Sequence, residues 1–387
     1  MKFARRRLGA VVLCLALAAA ACGSDDASDS EPGSGSASAS ASEASASETE
    51  TASAVEPDVE DAVEEEVEAG SDADDAAEPD ADGAGDAAGV DEPTGSFPVT
   101  IETEYGEVEI PEQPERIVVA SATMTGHVLA LDAPVVAAQA LPGPPLADDT
   151  GFMLQWSSVA TDAGVEAIPG PEINLEAIAA TDPDLILGAS FGGDAVTVDA
   201  FETLSEIAPT VVLDYSGIDW QELSGVLGEA TGRTAEADTL VDDFAALVDE
   251  VGATIDTSRP VISGVITERG VNMFTDQSAH GRLFLSLGLD LVSPEGGDLE
   301  GEAGAGTRTD VAAISPELIP DEFGDATVLM VFTTEDQIPG LLDVYPTLGV
   351  IPAAEEDRLL ALGIESFRLD PYSARLVVER LGAALAG

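Results

Sequence analysis

The sequence predicts an α/β protein of two lobes joined by one long helix. Three observations carry that reading. Short apolar runs such as Leu185-Ile186-Leu187 and Val211-Val212-Leu213 alternate with stretches of helical period, the pattern of buried strands between helices. The helical period then runs unbroken from Thr234 to Ile255, through Ala237, Leu240, Phe244, Leu247 and Val251, which makes one helix of about 22 residues and roughly 33 Å. Finally, the unit Asn174-Leu175-Glu176-Ala177-Ile178 followed by Asp184-Leu185-Ile186-Leu187 is echoed by Ser315-Pro316-Glu317-Leu318-Ile319 followed by 325–331, so one helix-then-strand pattern occurs in both halves.

The elements follow in order. Alternating residues at 97–103 and 106–110 predict a hairpin. The first buried strand is 116–121, a helix follows at 125–130 and a strand at 135–138, and a proline- and glycine-rich loop fills 141–159. Asn174 caps the next helix, Glu176 suits its dipole, and Asp182-Pro183 ends it. The strand at 185–187 runs into the glycine-rich stretch 188–193, at the carboxyl end where open α/β sheets bind ligands. A helix at 198–207, a strand at 210–213 and a helix at 220–228 complete the first lobe. After the long helix come a strand at 261–267, a helix at 281–287, a glycine- and acid-rich loop at 295–306, strands at 327–332 and 359–362, and a closing helix at 372–385.

Composition confines the fold to the later part of the chain. Lys2, Arg5, Arg6 and Arg7 precede an apolar run ending in Ala19-Ala20-Ala21-Cys22-Gly23, which predicts a lipoprotein signal peptide at 1–21 and lipidation of Cys22, with an ordinary signal peptide beside a chance cysteine as the alternative. Cys14, the other of the two cysteines, lies in the leader, so the mature chain has no intramolecular disulfide. Residues 22–96 are rich in Ala, Ser, Glu, Asp and Gly and predict a disordered acidic tether. The remaining boundaries are an N-terminal lobe at 97–232, an interlobe helix at 233–256 and a C-terminal lobe at 257–387. Loss of the leader takes the formal charge from −61 to −65, carried by 10 arginines, no lysine and 75 acids. That charge excludes a nucleic-acid partner.

With this order in view, the chain resembles the substrate-binding lipoproteins of ATP-driven importers for iron–siderophore complexes and cobalamin. The resemblance rests on Val108-Glu109-Ile110-Pro111 through Pro114-Glu115-Arg116-Ile117-Val118-Val119, on Asn174 to Ile178, and on Asp182-Pro183-Asp184-Leu185-Ile186. It also rests on Phe201-Glu202-Thr203-Leu204-Ser205 before Ala208-Pro209-Thr210, and on Gly228 to Arg233 and Phe284 to Leu289 on either side of the long helix. It covers 97–387. It implies two Rossmann-like lobes joined by a backbone helix, with ligand held in the cleft between them and little lobe closure on binding. It also implies an exported protein, lipid-anchored to the outer face of the cell membrane, that works as a monomer with an ABC importer permease. In that family an acid on the outer face of each lobe docks on the permease, and position and the internal repeat point to Glu176 and Glu317. A glutamate that only answers the helix dipole is the alternative for each.

The residues themselves show no catalytic set, no phosphate loop and no cofactor motif. Two histidines, His127 and His280, are too few for direct transition-metal capture, so no metal ligands are assigned; acidic oxygens holding a hard cation are the alternative. The scarce arginines are the natural partners of an anionic metal chelate. Arg269, after the strand at 261–267, is the first choice, with Arg282 and Arg368 beside it; Arg308 also remains after the rest are set aside. The alternative for each is a surface arginine relieving acid repulsion. From the first lobe the strand ends offer Ser121, Thr123, Met124, Ser190, Phe191 and Tyr215, and the long loop offers Gln155 and Trp156. Trp156 and Tyr215 are candidates to stack on a flat ligand. The expected ligand is a ferric siderophore; a cobalamin or haem receptor, or a non-transport envelope scaffold on the same fold, are the alternatives.

Overall fold

The computed structural model describes residues 96–190, 196–215, 218–293, 297–300 and 307–387. All of them belong to one compact unit, Ala84–Gly387. The leader, Cys22, the tether and Phe191 lie outside the described residues.

The first lobe opens with the antiparallel hairpin β1 (Val99–Thr103) and β2 (Gly106–Ile110). Gly106 at its turn has φ of 118°, a backbone that side chains strongly disfavour. The sheet that follows is wholly parallel. It comprises β3 (Ile117–Val119), β4 (Val135–Ala140), β5 (Glu166–Pro169), β6 (Leu185–Ala189) and β7 (Thr210–Leu213), in the order β5-β4-β3-β6-β7. The chain first builds outward from β3 on one side and then returns to build from its other side. The switch point, where a ligand crevice forms in such sheets, therefore lies at the carboxyl ends of β3 and β6. Helices α1 (Thr125–Leu129), α2 (Ser157–Asp162), α3 (Leu175–Ala180), α4 (Val196–Ile207) and α5 (Trp220–Thr231) cover the two faces. Asn174 accepts a hydrogen bond from Ala177 N–H at 3.0 Å and so caps α3. Gly188 in β6 admits Thr197 of α4 so closely that a Cβ there would lie 2.2 Å from Thr197 Cγ2.

Helix α6 (Thr234–Gly252) joins the lobes through the two cores it enters. Ala237 is buried in the first lobe, Leu240 touches both cores, and Phe244 and Val248 are buried in the second. Burial of Phe244 and Val248 contributes about 1.5–3 kcal/mol each, and Phe244 meets Trp220 edge-on at 4.9 Å. The helix has 19 residues, fewer than its apolar period predicts. The chain leaves the helix after Gly252 because Ile255 pairs with Ala386 and Asp256 N–H donates to Leu385 O at 2.7 Å.

The second sheet is mixed. Its parallel half comprises β8 (Pro260–Thr267), β13 (Thr327–Val331) and β14 (Leu359–Ala361). Its antiparallel half adds β9 (Gly270–Phe274), β12 (Thr307–Ile314) and β11 (Gly297–Glu300), and β10 (Asp290–Leu291) pairs with the start of β8. Gly297–Glu300 is thus strand where the glycine-rich composition predicts loop. Helices α7 (Ala279–Ser286), α8 (Ile319–Phe323), α9 (Ile338–Val344), α10 (Pro352–Glu355) and α11 (Pro371–Ala384) complete the lobe. Among the described residues no helix is long and apolar enough to cross a membrane.

Candidate ligand-binding site

The lobes meet where the start of α1 approaches the start of α11. Asp370 caps α11, its Oδ1 accepting from Tyr372 N–H and Ser373 N–H, each at 2.9 Å. Its Oδ2 accepts from Gln155 Nε2 of the first lobe at 2.8 Å. Burial raises the pKa of this carboxyl, opposed by those hydrogen bonds. Gly126 in α1 leaves room for the junction: a Cβ there would lie 2.6 Å from Trp156 Cδ1 and 2.8 Å from Asp370 Oδ2. A second tie between the lobes joins Arg282 Nε to Asp219 Oδ1 at 2.7 Å.

Beside this junction the second lobe presents an aromatic and cationic wall. The 3-10 turn Ile364–Phe367 leads from β14 to α11. Ser366 Oγ donates to Gly363 O at 2.6 Å and accepts from Phe332 N–H at 3.1 Å. That bond holds Phe332 at φ of 59°, a left-handed backbone unusual for a bulky residue and concentrated at functional sites. The Phe332 and Phe367 rings lie 5.1 Å apart, and the Arg368 guanidinium sits 5.3 Å from the Phe367 centroid. Behind them His280 is buried, with Nε2 at 2.7 Å from Ser366 O and its ring stacked on Phe274 at 4.4 Å. Burial drives the His280 pKa down to about 4, the Ser366 carbonyl opposes this, and the Arg368 charge adds to it. His280 is therefore neutral at pH 7, and because a carbonyl only accepts, its proton is on Nε2.

Arg368 stands apart from nearly all the other described arginines. Arg233, Arg259, Arg282, Arg358, Arg375 and Arg380 each meet a carboxylate. Arg116 donates to the carbonyls of Thr181 and Asp182. Among the described side chains only Arg269 and Arg368 have no such partner. Arg269 is exposed in the two-residue turn between β8 and β9, a turn tied down by Tyr345 Oη donating to Thr267 O at 2.8 Å. Arg368 is half-buried at the lobe junction. The Arg308 side chain lies outside the described residues.

The structure corrects several expectations. Trp156 is fully buried beneath Gly126 with Phe152 at 5.5 Å, so it packs the core and has no face for a ligand. Met124 is also fully buried in that core. Ser121 is fully buried, its Oγ accepting from Met124 N–H at 3.1 Å, and so braces the start of α1. Arg282 is committed to Asp219. Thr123 and Ser190 are half-buried at the switch point, with Ser190 Oγ lacking a hydrogen-bond partner among the described residues, and Tyr215 is half-buried against the first core. Glu176 in α3 and Glu317 in the turn Pro316–Leu318 are exposed. Phe274, Phe332 and Asp370 at this junction carry no site signal in the sequence pattern, and His280 is set aside there as a helix-terminus residue. Asp370-Pro371 carried a usable sign, an N-cap followed by proline at the first helical position.

A two-lobed α/β protein whose lobes meet beside the carboxyl ends of their parallel strands is the class that this geometry defines. Residues 117–363 match the periplasmic binding protein family, and the chain belongs to it. It is 35% identical over 294 residues to the ferric enterobactin-binding periplasmic protein FepB of Escherichia coli, covering 74% of this chain and 91% of that protein. It is similar in structure to holo-ViuP, with a TM-score of 0.65 and 29% identity over 76% of this chain and 96% of that one. The siderophore-binding protein BauB, bound to two acinetobactin molecules and ferric iron, shares the fold at a TM-score of 0.54 and 19% identity, over 74% and 97%.

Proposed function

We propose that this protein is an extracytoplasmic lipoprotein that captures a ferric siderophore, or a similar anionic metal chelate, and delivers it to an ABC importer. The observation that carries the reading is Arg368: in a chain of formal charge −61 it is a half-buried cation with no carboxylate partner among the described residues, framed by Phe332 and Phe367 at the lobe junction. Such a group favours an anionic ligand with flat apolar surface. Thr123, Ser190 and Tyr215 form the opposing wall. The names of FepB and BauB support a ferric siderophore as cargo. Cys22 carries the lipid, the acidic tether holds the domain clear of the membrane, and a monomer docks on the permease through exposed Glu176 and Glu317.

The test is a fluorescence-quenching titration of the mature chain with a ferric tris-catecholate, a ferric hydroxamate, cobalamin and haemin. A ferric chelate should saturate the signal, and Arg368→Gln should weaken it about 10- to 100-fold, the loss of charge-assisted contacts worth about 1.5–3 kcal/mol. Saturation by cobalamin or haemin alone would replace the ligand. Silence towards all four would favour an envelope scaffold. Charge reversal at both Glu176 and Glu317 should abolish uptake while leaving the titration unchanged.

A further inference from the structure

Away from the lobe junction, the second sheet ends on β14, whose one strand partner among the described residues is β13. The ladder uses the main chain of alternate residues: Val328 N–H donates to Arg358 O at 3.0 Å, and Leu362 N–H donates to Met330 O at 2.9 Å. Leu359 and Ala361, which stand opposite Val328 and Met330, therefore turn their N–H and C=O groups away from the sheet. A strand edge of this kind is normally covered, charged or interrupted by proline. Here the half-buried residues Leu359, Leu360 and Ala361 line a hollow of about 870 Å³. Ile338 and Leu342 of α9 form one wall, and Ala383 and Ala384 of α11 form the other.

The charges at the hollow are acidic in effect. Glu335 and Asp357 are exposed at it. Arg380, the one cation among the described lining residues, is committed to Glu365 and to the Leu362 carbonyl. We infer that this hollow is a docking groove for an extended segment of a partner protein that alternates apolar with basic side chains and adds to β14 as a further strand. The outward main-chain groups supply the hydrogen bonds of strand addition, and the apolar walls take alternate side chains. Glu335 and Asp357 select the basic ones. The same charges disfavour the chain's own acidic segment 22–96, and a second copy would bring two acidic mouths together. The groove makes no use of Arg368, so it stands independently of the cleft.

The experiment uses the full mature chain and a fluorescein-labelled hexapeptide alternating valine with lysine, read by anisotropy beside its valine–glutamate counterpart. Ala361→Pro removes an outward donor without touching the β13 ladder, and Ala383→Phe fills the groove from an exposed helical position. The lysine peptide should bind saturably, the glutamate peptide should not, and both variants should lose at least tenfold in affinity while ferric-chelate quenching is unchanged. Binding that survives both substitutions would reduce the effect to general acidity and overturn the proposal. So would equal binding of the two peptides, or no saturable binding at all. Concentration-dependent dimerisation in sedimentation, lost in Ala361→Pro, would assign the edge to a second copy instead.

Discussion

The two lobes bring opposite chemistry to their junction. At the end of β3 the first lobe turns its distinctive groups inward: Ser121, Thr125, His127 and Trp156 are all buried. After β13 and β14 the second lobe keeps Phe332, Phe367 and Arg368 partly open. The buried histidines repeat the contrast. His280 is bonded to Ser366 and stacked on Phe274, whereas His127 Nδ1 has no hydrogen-bond partner among the described residues. The first lobe thus packs these groups into its core, whereas the second leaves a charge and aromatic faces partly open at the junction.

Acid should have the largest effect, and it should act on the buried histidine of each lobe alike. Burial lowers both His127 and His280 from 6.5 to about 4. Below pH 6.5 the unfolded chain takes up protons that the folded chain refuses. Their contribution is therefore complete above pH 6.5 and is lost as pH falls through about 4, at up to about 3 kcal/mol per histidine. Asp370 acts in the opposite sense, because burial raises its pKa: its contribution is complete below the unfolded value of 3.8 and is lost as pH rises through its folded value. The urea midpoint should fall between pH 6.5 and 4, and His127→Phe and His280→Phe should each flatten the fall. A flat profile in the parent would remove the histidines from the comparison.

The next effect probes how rigid the first lobe is. Gly126→Ala forces a methyl group against Trp156 and Asp370 and should cost about 1–3 kcal/mol, with a changed near-ultraviolet signal from Trp156. Gly225→Ala on α5, where nothing lies within 4 Å, should be neutral or stabilising by about 0.5–1 kcal/mol. If the two substitutions had equal thermal midpoints, the junction would be looser than its packing implies.

The smallest effect separates two arginines. Arg282 and Asp219 are both about half exposed, so Arg282→Gln should change stability by less than about 1 kcal/mol and leave chelate affinity unaltered. A loss of affinity matching that of Arg368→Gln would place Arg282 in the site and blur the division between the lobes.

Much of the frame was legible from the chain. The buried runs at Leu185–Ala189 and Thr210–Leu213 and the long apolar period of α6 are strong patterns that packing reinforces. Strand β9 was hidden because its hairpin turns on Glu268 and Arg269, which carry none of the glycine or asparagine chemistry of tight turns. Arg368 could be reached because arginine is so scarce. Trp156 could not be placed, since a tryptophan in a proline-rich loop reads the same whether its ring is exposed or packed under Gly126. The left-handed backbone of Phe332 depends on Ser366, 34 residues further on, and no local pattern announces it.

Helix α6 has one more consequence. Because its apolar face is rooted in both cores, the relative placement of the cleft walls is set when the chain folds. Little conformational entropy is then left to lose when a ligand arrives, so more of the contact energy appears as affinity. Differences among ligands should be expressed in how slowly each one leaves rather than in how quickly it enters.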